Sequence, residues 1–162
     1  MAFEIDATPG GSSSNCYCTL AEADAYHETR LDNDAWNAAT DLSKSSSLVW
    51  ATRILDRLQW LGEISTDSQA LRWPRTGVYD QDDRAVSGVP SFLKDATSEL
   101  AFKLISDGGA SSDRLVEKLK VGPISLDFGD TVQSNGDLPD EVIAMVGPYI
   151  RGSSKSVCIV RG

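Results

Sequence analysis

The sequence has a single histidine, His27, and only three cysteines, Cys16, Cys18 and Cys158. One imidazole confines any Ser-His-Asp or Cys-His catalytic set to His27. That residue falls in an expected helix near Tyr26 and Leu31, where a surface or half-buried structural role is expected. An odd number of thiols, two of them one residue apart, fits neither a zinc ribbon nor a disulfide framework. Small semi-buried thiols in a reducing compartment are the expected state. No stretch approaches the roughly 20 uninterrupted apolar residues of a membrane helix. The start, Met1 to Asp6, lacks the basic and apolar blocks of a signal peptide, so a soluble chain made in the cytoplasm is expected. Cations are also scarce: 15 Lys and Arg stand against 24 Asp and Glu, a formal charge of -9. Such a balance repels a phosphate backbone, and the cations form no stripe along the sequence that would offset it.

What is present is enough apolar material for one compact domain, 41% of 162 residues. Thr19-Leu20-Ala21-Glu22 has the S/T-x-x-E form of a capping box and predicts a helix over 20–31. Leu48, Ala51, Leu55 and Leu58 recur at steps of three and four, joined by Ile54 and Leu61. They predict a second helix over 41–61, ended by Gly62. A third begins at Pro90, carries Phe92, Leu93, Ala96, Leu100 and Leu104 inward, and stops at Gly108-Gly109. The period then changes to two: Ile124, Leu126 and Phe128 alternate with Ser125 and Asp127, as in a half-buried strand. Leu138-Pro139-Asp140-Glu141 opens a short helix to about Ile150, and Val157 to Val160 form a final apolar run, an unpaired strand after a glycine-serine hinge.

Between the second and third helices lies Gln69-Ala-Leu-Arg-Trp-Pro-Arg75. Pro74 fixes its own backbone and extends Trp73, so the pair reads as a rigid corner with a large indole to bury. Arg72 and Arg75 flank it. Their expected partners are carboxylates such as Asp56 or Asp80, helix-end carbonyls, or a neighbouring subunit. Asp80, Asp82 and Asp83 share the spacing of a calcium loop, but its sixth position holds Ala85 and its twelfth Ser91, so a solvated turn is expected and no metal site. No nucleophile, base and orienter occur together, and no phosphate-cradling glycine loop follows a strand. Neither an enzyme nor a cofactor is expected.

Ser14 to Tyr26, Trp36, Trp50-Ala-Thr-Arg-Ile-Leu-Asp56, Gln69 to Val78 and Val89-Pro90 together resemble the tailed-phage head-tail adaptor proteins, often labelled DnaT-like single-stranded-DNA-binding proteins. The likeness covers roughly residues 14 to 105, with Cys16-Tyr17-Cys18 where relatives usually show Ser-Tyr-Val. It implies a mainly α fold: a small helical bundle with a β-strand or hairpin extension and an extended carboxyl-terminal arm. The corresponding divisions are a flexible amino-terminal arm (1–13), a helical adaptor core (14–110), a strand-plus-helix extension (111–151) and a docking arm (152–162). It also implies a homo-oligomeric ring, usually dodecameric, in the virion neck between the portal and a stopper or tail-terminator protein. DNA passes through the lumen of such a ring without specific binding. Lys155, Val157, Ile159, Val160 and Arg161 would dock on the portal, and Arg72, Trp73, Pro74 and Arg75 would form a structural corner or an intersubunit contact. The alternative is a replication protein that holds single-stranded DNA.

Overall fold

A computed structural model describes residues 3–107 and 138–151. The fold is mainly α, with one small antiparallel hairpin. Helix α1 (Leu20–Glu28) starts as the capping box requires: the Glu22 amide donates to the Thr19 hydroxyl at 3.2 Å, and the Thr19 amide donates to the Glu22 carboxylate at 2.9 Å. It ends three residues before Leu31, which projects fully into solvent. Helix α2 (Asp34–Ala38) is a short turn that drives Trp36 into the interior.

Helix α3 (Asp41–Leu55) is capped by Thr40, whose hydroxyl accepts the Ser43 amide, and it buries Leu48, Ala51, Thr52 and Leu55 along one stripe. It stops six residues short of the expected end. The Trp60 indole folds back to donate to the Leu55 carbonyl at 3.1 Å, occupying a group that another helical turn would need. Gly62 therefore caps no helix. With φ of +70°, it instead opens the hairpin β1 (Glu63–Ile64) to β2 (Arg75–Thr76), in register Glu63 with Thr76 and Ile64 with Arg75. A Cβ at Gly62 would lie 2.2 Å from the Thr76 carbonyl oxygen, so only glycine fits.

Helix α4 (Ser91–Ser106), with Pro90 at its N-cap, is the axis of the molecule: Leu93, Ala96, Thr97, Leu100, Ala101 and Leu104 are buried on several sides. It packs against α1, α2, α3 and a fifth helix, α5 (Asp140–Val146), which buries Val142 and Val146 and runs into a 3-10 turn over Gly147–Tyr149. The extended segment before α1 is threaded between helices. Tyr17 and both flanking thiols are buried, Thr52 of α3 donates to the Cys16 sulfur, and the Cys18 sulfur lies 3.9 Å from the Ser98 hydroxyl of α4. These thiols are fully buried, deeper than expected. Residues 3–13 do not form a free arm: Asp6 accepts the Asn15 amide, and Gly11 accepts the Ala70 amide at 3.0 Å. The expected strand over 121–128, the Gly108-Gly109 stop, Cys158 and the terminal arm lie outside the described residues.

Candidate functional site

Within the Gln69 to Arg75 block, the Gln69 carboxamide and the Arg75 guanidinium are spent on building the corner. The Gln69 carboxamide donates to the carbonyls of Leu71 at 2.7 Å and Pro74 at 3.1 Å and accepts the Thr66 amide, closing the loop on itself. Trp73 is buried, with its ring edge-on to Trp60 at 5.6 Å and to Phe92 at 5.8 Å, and Phe92 in turn stacks on Tyr149 at 4.0 Å. One aromatic chain thus ties the corner to the turn after α3, the start of α4 and the 3-10 turn. The Trp73-Pro74 bond is cis.

Of the expected partners, Arg75 takes carbonyls, though from a turn and not from a helix end, and neither guanidinium pairs with Asp56 or Asp80. Arg75 is buried and donates from Nε to the Leu61 carbonyl (2.6 Å), from Nη2 to that of Gly62 (2.6 Å) and from Nη1 to that of Arg72 (3.2 Å). A planar fork with several donors suits three carbonyls that converge from a turn. Burial, with Arg72 and Arg151 nearby, holds its pKa below the ordinary arginine value. Arg72 gives its backbone amide to Asp56 at 2.7 Å, while its exposed guanidinium has neither hydrogen bond nor ion pair among the described residues. Asp80 contacts neither arginine. Its carboxylate accepts the amides of Arg84 and Asp82, which lowers its pKa and shapes an exposed turn with Asp83 at φ of 58°. No group of three or more His, Cys, Asp or Glu among the described residues is arranged to hold a metal ion.

Arg151 joins this corner from the far end of the chain, donating its amide to the Gln59 carbonyl at 2.7 Å beside the Trp60–Ile150 bridge. Arg57 sits one residue beyond Asp56. No local signal marks Arg151 as a neighbour of Arg75; only tertiary pairing brings it there. His27 lies elsewhere, wholly buried against Trp36 and Phe102, with Nε2 3.1 Å from the Ser98 carbonyl. Burial lowers its pKa, and its Nδ1 has no hydrogen-bond partner among the described residues. A groove of about 720 Å³ between α2, α3 and the end of α4 is lined by residues such as Ala35, Ala38, Ser46, Trp50 and Leu104 and presents no titratable side chain.

A family model described as "Putative DnaT-like ssDNA binding protein" matches residues 1–162. The chain belongs to that family. Neither the curated proteins nor the solved structures contain a match. Within this DnaT-like family member, the described surface bears directly on how single-stranded DNA could be held. Binding of that kind combines a cationic groove with exposed aromatic faces. Here Trp36, Trp60 and Trp73 are buried, and Trp50 is half-buried under Arg53. Tyr79 is 60% exposed but opens the acidic turn of Asp80, Asp82 and Asp83. Arg72 and Arg151, both beside Arg75, and Arg57, next in the chain to Asp56, are exposed cations without ion-pair partners among the described residues, at an end with no exposed tryptophan.

Proposed function

We propose that this chain is a non-enzymatic structural subunit of a phage head-tail connector, an adaptor that assembles with copies of itself into a ring in the virion neck. The ring docks on the portal, meets a stopper or tail-terminator protein below, and passes DNA through its lumen. The observation that carries this reading is the spending of side chains. The most distinctive motif, its tryptophan and its second arginine included, is consumed in rigidifying one corner, and Trp36, Trp60 and Trp73 pack inward where no base can stack on them. A net charge of -9 suits a channel wall that must not retain DNA. The resemblance of residues 14 to 105 to head-tail adaptors supplies the assembly in which such a wall would serve.

The family description favours a second reading, in which the chain binds single-stranded DNA. Arg57, Arg72 and Arg151 are where phosphates would then sit. Filter binding at low salt with single-stranded and duplex oligonucleotides, beside electron microscopy of the purified protein, separates the two. The connector reading expects rings and no submicromolar affinity. Submicromolar binding that weakens steeply with salt, by particles that form no ring, would replace it. Portal attachment is read by co-sedimentation with purified portal rings. Deletion of residues 153–162, which removes Lys155 to Arg161, is expected to abolish it while leaving the melting temperature unchanged.

A further inference from the structure

The described molecule has two ends of opposite charge. Helix α3, about 22 Å long at 1.5 Å per residue, separates them. At its start gather Glu28, Asp32, Asp34 and Asp41, all exposed and without ion-pair partners among the described residues. That α1 ends where α3 begins follows from two contacts: the Tyr17 amide reaches Thr52 near the end of α3, and Asp24 pairs with Lys44 near its start. The cations nearby are already matched, Arg30 to Glu99, Lys44 to Asp24 and Lys103 to Asp107. At the other end Arg72 and Arg151 stand beside buried Arg75, with exposed Arg57 next in the chain to Asp56, whose carboxylate is taken by the Tyr17 hydroxyl and the Arg72 amide. Glu63 on β1 and Asp67 in the loop that follows it are the other acids close to this end in the chain, both exposed.

Local electrostatics do not explain these charges. Asp34 and Asp41 suit the first turns of their helices, but Glu28 is the last residue of α1, where the helix dipole disfavours a negative charge. Arg72 and Arg151 likewise crowd a third guanidinium, which a monomer gains nothing by doing.

We infer that the arginine end of one copy docks against the acidic end of the next, a head-to-tail contact carried by Arg57, Arg72 and Arg151 on one side and Glu28, Asp32, Asp34 and Asp41 on the other. The inference rests on the connector reading and deepens it. An interface between two different patches of identical subunits closes into a ring when the rotation between neighbours returns to its start, and forms an open filament otherwise. Opposite charges across it fix orientation and oppose the two like-end pairings.

The test uses the full chain in sedimentation velocity and native mass measurement at low and moderate salt. Two variants are compared with the parent: Arg72→Glu with Arg151→Glu, and Glu28→Lys with Asp32→Lys. Circular dichroism should show parent-like folding, since all four side chains are exposed. Each variant alone should lose assembly, with a dissociation constant raised at least tenfold, and an equimolar mixture of the two should regain it, because each supplies the charge the other now lacks. Parent-like assembly by both variants, or no recovery on mixing, would overturn this contact while leaving the ring itself standing. A parent that stays monomeric at every concentration would overturn the ring reading with it. Parent-like assembly of the arginine variant, together with lost oligonucleotide affinity, would assign that end to nucleic acid instead.

Discussion

The Tyr17 hydroxyl donates to Oδ1 of Asp56 across 39 residues of sequence, fastening the segment before α1 to the end of α3. The same oxygen accepts the Arg72 amide, so one carboxylate holds the start of the bundle and the start of the corner together. Tyr17→Phe should cost about 1.5–3 kcal/mol, the range for a hydrogen bond to a charged acceptor. Burial, then the Asp56 charge, pushes the Tyr17 pKa far above that of a free phenol. A group with a raised folded pKa contributes fully below its unfolded value, near 10, and that contribution is lost as pH rises beyond it. Urea unfolding at pH 11 should therefore release phenolate absorbance, with an increment missing in Tyr17→Phe. Equal absorbance steps in the two proteins would show that this hydroxyl is open to water.

Arg75→Lys keeps the charge but loses the fork that reaches the carbonyls of Leu61, Gly62 and Arg72. An ammonium cannot span all three positions, and at least one buried acceptor is left unpaired, so a loss of about 1–3 kcal/mol is expected in chemical denaturation. An unchanged midpoint would mean that the turn relaxes to meet the lysine.

The limits of sequence reading at this corner are physical. The capping box at Thr19 and Glu22 and the start of α4 after Pro90 were legible because a few adjacent residues determine each. The end of α3 was not. Leu58 and Leu61 continue the helical period, and only the returning Trp60 indole and the capture of Asp56 by distant donors stop the helix at Leu55. Trp73 and Pro74 were readable as a corner, and helix-end carbonyls stood beside carboxylates among the expected partners of Arg75; the carbonyls it takes at 61–62 belong instead to a turn, because α3 ends early at Leu55. Arg151 arrives through pairing of residues 60 and 150, a separation at which neighbouring residues carry no signal.

His27 provides a pH test with a definite sign. Burial lowers its pKa below the ordinary value near 6.5, so the folded state stays neutral where the unfolded chain takes up a proton. Its contribution is complete above that value and falls as pH drops through it. Since the chain has no other histidine, melting temperature should decline between pH 7.5 and 5.5 in the parent. The profile of His27→Gln should be flatter over that interval, whatever its stability at pH 7.5. An equal slope in both proteins would assign the decline to other groups.

Trp73 is the centre of the aromatic chain, with Trp60 on one side and Phe92 on the other, and it is 1% exposed. Its indole nitrogen is buried without a hydrogen-bond partner among the described residues, so the ring contributes by area and edge contacts alone. Two substitutions separate these contributions from hydrogen bonding. Trp73→Ala empties the space between three segments and should cost about 3 kcal/mol or more, as large aromatic truncations in cores do. Trp73→Phe keeps an aromatic face and gives up an unpaired donor, so its cost should stay near 1–2 kcal/mol. Denaturant titration followed by fluorescence and circular dichroism measures both. Equal losses for Phe and Ala would show that the nitrogen has a partner the indole requires, and no loss for Ala would place the ring at a surface that another subunit covers.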